Sequence, residues 1–382
     1  MFARIKKQIL CWMFLLPLLF ACAAEHTVSP YTLRLQLSSE PATLNPMTSV
    51  DAYSVSINQF IFDKLLTRDL DTLAFKPSVA SSWDVSEDGL EYTFHIKKEA
   101  KWQDGVPVTA DDVVFSYQTL MDPKVPAGHL RVYYSDIESV EALDSKTVRF
   151  RYKRVYFKAL EVVGFMDIIP KHIVEQYKDF DNSPFSRAPL GNGPFKFKEW
   201  VSGQRIILER NEDYWGDKTE IKTIEFKLIP DSAVAFQILK KGDLDVMAIS
   251  SLQWARQTRS KRFTDRFYKP VYMTGGYSYI AWNNSQPPFD DFRVRRAMTH
   301  MIDRRLMSQK LKFGLAAVAT GPFFPNGTQI NPNVTAYEFD PETAVALLKE
   351  AGWEDHDGDG VLDKNGKQFE FKYLYPSASK AS

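Results

Sequence analysis

Residues 80–117 read ASSWDVSEDGLEYTFHIKKEAKWQDGVPVTADDVVFSY, and this stretch decides the class of fold. The β-branched and aromatic residues of Leu90 to Ile96 predict a strand. Asp88-Gly89 and Asp104-Gly105 bracket it as turns, because glycine supplies the backbone freedom that a tight reversal needs. Thr109 then precedes Ala110, Asp111 and Asp112, which is an N-cap with acids in the first helical turn, and Val113, Val114, Tyr117 and Leu120 follow at helical spacing. A strand and a helix separated only by turns make the region mixed α/β.

The same signals continue on both sides. Tyr31 to Gln36, Thr147 to Tyr152, Arg205 to Glu209, Thr223 to Leu228 and Tyr277 to Asn283 have the composition of strands, and so does a stretch near Phe369 to Leu374. One helix is expected from Asp231 to Gly242, closing on Lys240 and Lys241. Another runs from Asp340 to Gly352, with a cap, a first-turn proline, an apolar stripe and a C-terminal glycine in order. Strand-like and helix-like segments interleave with no repeat and no linker between clean halves, which suits discontinuous domains.

At 382 residues, 44% hydrophobic and 14% aromatic, the chain can bury a large core and form two or three domains. Its 48 basic residues balance 48 acidic ones, so no whole-chain field exists to attract a nucleic acid. Arg4, Lys6 and Lys7, the apolar run Ile9 to Phe20 and the small residues Ala21 to Ala24 have the layout of a secretory signal. Removal of residues 1–21 would leave 45 basic against 48 acidic residues. Leu19-Phe-Ala-Cys22 resembles a bacterial lipobox with Cys22 as the lipidated residue; ordinary cleavage near Ala23 or Ala24 is the other reading. Cysteine use favours the lipid, since Cys11, the only other cysteine, lies in the removed segment.

No zinc-protease helix, P-loop, dinucleotide fingerprint or nucleophile elbow occurs, and the six histidines are scattered. Asp355, Asp357, Asp359, Gly360 and Asp363 are similar to the first half of a calcium loop, in which alternate carboxylates converge on a hard cation. The twelfth position is Gly366, where such a loop needs a bidentate Glu, and an ordinary acidic turn explains the same residues.

Several blocks together resemble the family 5 extracellular solute-binding proteins, the oligopeptide, dipeptide and nickel binders of ABC importers. They are Glu40-Pro-Ala-Thr-Leu-Asn-Pro46, Ile61-Phe-Asp-Lys-Leu-Leu66, the 80–117 stretch, Gly191-Asn-Gly-Pro-Phe195, Arg210-Asn-Glu-Asp-Tyr-Trp-Gly216, Gly242-Asp-Leu-Asp245, Pro287 to Ala297 and Asp340 to Trp353, in family order. Most of them have structural readings: Trp83, Tyr92 and Phe94 suit a core, and Arg293 and Arg295 suit salt bridges more than an anionic ligand.

The resemblance implies a periplasmic-binding-protein-like flytrap of type II, cluster C-like, that closes by hinge bending on a solute. It implies residues 1–21 as signal, 27–50 and 189–274 as lobe I, 51–188 as an inserted subdomain and 275–382 as lobe II. Gly275 and Gly276 suit a crossover or a plain turn. Peptide would be held as an extended strand through main-chain groups of a loop at Tyr53, Ser54 and Val55 and of Ala248, Ile249, Ser250 and Ser251, with Tyr277 and Tyr279 near the entry to lobe II. The family continues past the Asp340–Trp353 helix, so the resemblance also implies an incomplete second lobe and impaired binding.

The implied protein is a monomeric receptor, not an enzyme, with no cofactor. It serves ABC permease subunits from the periplasm or outer cell surface, held to a membrane through Cys22. A nickel, haem or other small-solute receptor is the alternative within the family. A secreted glycosidase with paired carboxylates and a calcium-stabilised surface protein are the alternatives outside it.

Overall fold

The computed structural model describes residues 31–70, 72–272, 276–323 and 330–374. The chain forms two compact units that divide between Met247 and Ala248, ahead of the 274/275 boundary expected for the lobes.

The first unit holds two four-stranded sheets and a two-stranded antiparallel pair, β2(Leu66–Arg68) and β3(Phe75–Pro77). One has the order β1(Thr32–Leu37), β10(Thr223–Leu228), β9(Arg205–Arg210), β8(Phe195–Val201). β1 pairs in parallel with β10 from Thr32↔Thr223 to Leu37↔Leu228, so residues nearly two hundred positions apart lie side by side. The remaining pairs are antiparallel.

The other sheet is antiparallel throughout, in the order β4(Ala80–Val85), β5(Glu91–Ile96), β7(Thr147–Tyr152), β6(Ile137–Asp144). Alternate residues of β5 and β7 point inward: Tyr92, Phe94 and Ile96 on one, Val148, Phe150 and Tyr152 on the other. Phe94 meets Phe150 edge to face at 5.9 Å and Tyr92 meets Tyr152 at 5.7 Å, the geometry that ring quadrupoles favour. Trp83 on β4 is only half-buried, while Trp102 takes the deeper core position.

Helix α1(Ala52–Ile61) buries Ser54, Ile57, Asn58 and Ile61, and helix α2(Ala110–Met121) buries Ala110, Val113, Ser116 and Leu120. At the start of α2 the buried Asp112 carboxylate accepts from Thr109 N at 2.8 Å, Lys171 N at 3.0 Å and Trp102 Nε1 at 3.3 Å, which meets the cost of burying it. Helix α3(Ser232–Lys241) is capped by Asp231, whose carboxylate accepts from Ala233 N and Val234 N. It ends at Gly242, whose φ of 96° closes the C-terminus.

The second unit contains α4(Ser251–Arg256), α5(Lys261–Thr264), α6(Phe292–His300), α7(Arg304–Leu311) and α8(Pro341–Glu350). α6 and α8 pack through Val294, Ala297, Ala344 and Leu348, joined by Phe289, Ala351 and Trp353 in one small core. A two-residue hairpin, β11(Asp363–Lys364) and β12(Lys367–Gln368), turns at Asn365 and Gly366, both at positive φ as such a turn requires.

Two strands expected from composition are absent. Tyr277–Asn283 and Phe369–Leu374 carry no ladder; 276–282 make no backbone–backbone hydrogen bond among the described residues, and in the second stretch Phe369 N donates to Leu362 O at 2.7 Å without extending the hairpin. Strand-forming composition needs a neighbouring edge before it becomes a strand.

Candidate functional site

The Tyr53–Val55 segment was expected as a loop and is instead the first turn of α1. Asp51 is the N-cap; its carboxylate accepts from Ser54 N at 2.8 Å and Ser54 Oγ at 2.6 Å. Partial burial pushes the Asp51 carboxyl up, and the hydrogen bonds from Ser54, Ala42 and Tyr53 outweigh it, holding the group below the ordinary carboxylate range. Ser54 is fully buried and its one hydroxyl proton lies between Asp51 Oδ2 and Thr43 O, each 2.6 Å from Oγ, so it builds the cap. What this turn offers outward is the half-buried Tyr53, whose hydroxyl shares a hydrogen bond with Ser38 Oγ at 3.0 Å, and the exposed Val55. The backbone N–H groups of Tyr53 and Ser54 are taken by Asp51 and that of Val55 by Asp51 O, which removes the donors a strand-like ligand would use. The sequence signal was present: Asp51 stands three residues before Ser54, with Ile57 and Ile61 at helical spacing.

The Gly242-Asp-Leu-Asp245 block is an anchor. Leu244 is buried, and Asp245 receives the Arg34 guanidinium at 2.6 and 2.9 Å and Arg34 N at 2.7 Å, while Asp245 N donates back to Arg34 O. Val246 forms a parallel bridge to Leu35 on the outer edge of β1. This fixes how the chain leaves the first unit.

In the second unit, Ala248 and Ile249 lead into α4 with Ala248 exposed and Ile249 half-buried. Ser250 caps α4: its hydroxyl accepts from Gln253 N at 3.2 Å, and Ser250 N donates to the buried Gln253 Oε1 at 2.8 Å. Ser250 and Ser251 thus begin a helix, and the main-chain groups outside any element are those of Ala248 and Ile249. Tyr277 and Tyr279 are both exposed, with ring centroids 5.6 Å apart.

Asp355, Asp357 and Asp359 come together, with one oxygen of each within 4.8 Å of the others, all exposed. Each carboxylate already accepts from the turn: Asp355 from Gly358 N and Gly360 N, Asp357 from Asp359 N, and Asp359 from Val361 N and Gln368 Nε2. Asp363 stands apart from this trio, because its carboxylate accepts from His356 N at 3.0 Å. Cys22, residues 1–21 and Gly275 lie outside the described residues.

A polar network that the sequence did not show as one unit binds the Ile61 to Leu66 and Gly191 to Phe195 blocks. Asn192 exchanges hydrogen bonds with the Asp63 backbone at 2.8 and 3.1 Å, Gly193 N donates to Ile61 O, and Gln103 Nε2 donates to Phe195 O at 2.7 Å. Tyr214 OH donates to Asp63 Oδ2 at 2.6 Å; burial nevertheless pushes the Asp63 carboxyl up to about 6. The partners lie up to 151 positions apart, which is why no local reading finds them.

Residues 74–382 match the family described as bacterial extracellular solute-binding proteins, family 5 Middle. The oligopeptide-binding protein AppA of Bacillus subtilis is 34% identical over 341 residues, covering 87% of this chain and 61% of that protein. The structure of that protein in complex with a nonapeptide is similar at a TM-score of 0.74 and 32% identity, covering 88% of this chain and 67% of that one. The NikZ structure from Campylobacter jejuni in complex with Ni(L-His) is similar at a TM-score of 0.79 and 29% identity, covering 90% and 67%. The chain thus spans about three fifths to two thirds of the length of the proteins it resembles. With this match and a mixed α/β fold in common with solved members, the chain belongs to the bacterial extracellular solute-binding proteins, family 5.

Proposed function

We propose that this chain captures peptides outside the cytoplasm as the receptor of an ABC importer, without catalysing a reaction. The observation that carries the reading is the likeness to the nonapeptide-bound structure; a second similar structure, from Helicobacter pylori, is in complex with the peptide STSA. In this reading 27–50 and 189–274 form lobe I, 51–188 the inserted subdomain and 275–382 lobe II. Support comes from the first sheet, which joins β1 to β8, β9 and β10 while residues 80–152 supply a separate sheet. Ligand contacts come from Tyr53 and Val55 side chains, Ala248 and Ile249 main chain, and Tyr277 and Tyr279. The protein is exported to the periplasm or outer surface, lipidated at Cys22 and monomeric. No helix among the described residues is long and apolar enough to cross a membrane.

A nickel-complex receptor is the second reading, favoured by the likeness to the Ni(L-His) structure. Thermal melting of the full chain with a set of short peptides and with nickel–histidine separates the two. Peptide capture raises the melting midpoint with peptides alone; a rise with nickel–histidine alone reverses the assignment.

A further inference from the structure

The chain as a whole balances 48 basic residues against 48 acidic ones, yet one stretch of the second unit does not. Between Trp254 and Lys269 stand Arg256, Arg259, Lys261, Arg262, Arg266 and Lys269 against a single acid, Asp265. That acid is spent on Lys261, whose Nζ lies 2.9 Å from both its oxygens. The local fold sorts the stretch by side. Ala255, Thr258 and Phe263 are buried, while Arg256, Arg259, Arg262 and Arg266, spaced by three, three and four, are all exposed. Helix α4, a turn and helix α5 thus form an amphipathic ribbon with a cationic outer side.

The basic face continues beyond α5. The Arg256 guanidinium carbon lies 5.5 Å from the centroid of the Phe313 ring, which brings the end of α7 alongside. Residues 304–313 add Arg304, Arg305, Lys310 and Lys312 and no acid. The acids flanking α7 are engaged elsewhere: Asp303 accepts from Leu306 N at 2.8 Å, and Glu338 pairs with Arg305 at 2.8 Å. Lys269 donates to Thr258 Oγ1 at 2.7 Å and lies over the Trp254 ring at 4.4 Å, neutral partners that leave its charge standing. The side chains of Arg259, Arg262 and Lys310 have no hydrogen-bond, ionic or ring partner among the described residues.

Where this chain pairs an arginine with a carboxylate, it fixes the fork: Arg34 meets Asp245, and Arg293 meets Asp291, each through two guanidinium nitrogens. Arg259 and Arg262 have no such pre-set geometry. A layer of phosphate headgroups does not require it, because its field acts on long cationic side chains wherever they point. Tyr268, 90% exposed on the same stretch, adds an aromatic ring with a polar tip, the kind of side chain that rests at headgroup depth.

We propose that this face docks on a bilayer surface carrying anionic phospholipid. The inference goes beyond the receptor reading and shares with it only export and the lipid at Cys22, which bring the face to a membrane; the solute plays no part in it.

Co-sedimentation of residues 22–382 bearing Cys22→Ser tests it, since these keep every described residue and carry neither leader nor acyl chain. The vesicles are phosphatidylcholine alone and an equal mixture with phosphatidylglycerol. Each Lys or Arg near an anionic surface strengthens association about fivefold, so the pair Arg259→Gln and Arg262→Gln is expected to weaken binding to the mixed vesicles about 25-fold. The pair Arg259→Lys and Arg262→Lys is expected to keep it, molar salt to abolish it, and neutral vesicles to show none. Because these two side chains hold nothing in the fold, neither pair is expected to move the melting midpoint. Equal binding to both vesicles, binding to neither, or undiminished binding by the glutamine pair overturns the proposal. Capture of poly-glutamate with none of the mixed vesicles also overturns it and assigns the face to an acidic polypeptide. A peptide-induced rise in melting midpoint on the same preparation reports the receptor reading separately.

Discussion

The two compact units contain equally strand-like sequence and use it differently. In the first, Glu91–Ile96 and Thr147–Tyr152 lie in register within a four-stranded sheet, and Phe94 and Phe150 are fully buried between them. In the second, Tyr277–Asn283 and Phe369–Leu374 have similar aromatic content, yet Tyr279 is 73% exposed and Phe371 44% exposed, and neither stretch joins a ladder. The difference teaches that strand-forming composition is local, while the strand itself is a property of two segments.

The sharpest test of that contrast is to truncate one aromatic on each side. Phe150→Ala is expected to cost about 3–5 kcal/mol of first-unit stability, because a fully buried ring leaves both lost transfer energy and a cavity. Phe371→Ala is expected to cost about 1 kcal/mol or less, since its ring keeps much of its surface in water. Denaturant unfolding of both variants reads the two numbers, and equal costs would break the comparison.

A second, nearly as large effect is expected at Gly191, where an added Cβ would stand 2.0 Å from Ile61 O, a backbone atom that cannot step aside. Gly191→Ala is expected to destabilise the first unit by about 3 kcal/mol, with the melting midpoint as the readout. A neutral substitution there would show that the Ile61 and Gly191 blocks are less tightly joined than described.

Acidity supplies the third test, because Asp63 is held up to about 6 where an ordinary aspartate titrates near 3.8. Between these values the folded chain holds a proton that the unfolded chain has released, so stability falls as pH rises from 4 to 6 and is level above. Asp63→Asn keeps an acceptor for Tyr214 OH and removes the charge. It is expected to flatten that slope and gain about 1–3 kcal/mol at pH 8, discounted for the partial exposure of the side chain. A steeper slope in the variant would contradict the assignment of the titration to Asp63.

Much of the fold was legible because its signals are local. The 90–96, 147–152, 205–209 and 223–228 strands and the helices capped by Thr109, Asp231 and Asp340 occur where turn chemistry and apolar spacing put them. The Asp88-Gly89 and Asp104-Gly105 turns appear with both glycines at positive φ. The candidate site was less legible. Asp51 turns an expected loop into a helix start, and Asp245 serves a guanidinium 211 positions away, a pairing no window of sequence contains. Arg295 was expected to form a salt bridge and instead rests on two carbonyls, because Asp291 is already taken by Arg293.

Peptide capture by the full chain is tested most directly by native mass spectrometry in the presence of equal concentrations of short unmodified peptides and nickel–histidine. The predicted spectrum shows the chain with one peptide bound; a chain bearing only nickel–histidine, or no adduct at all, would contradict it.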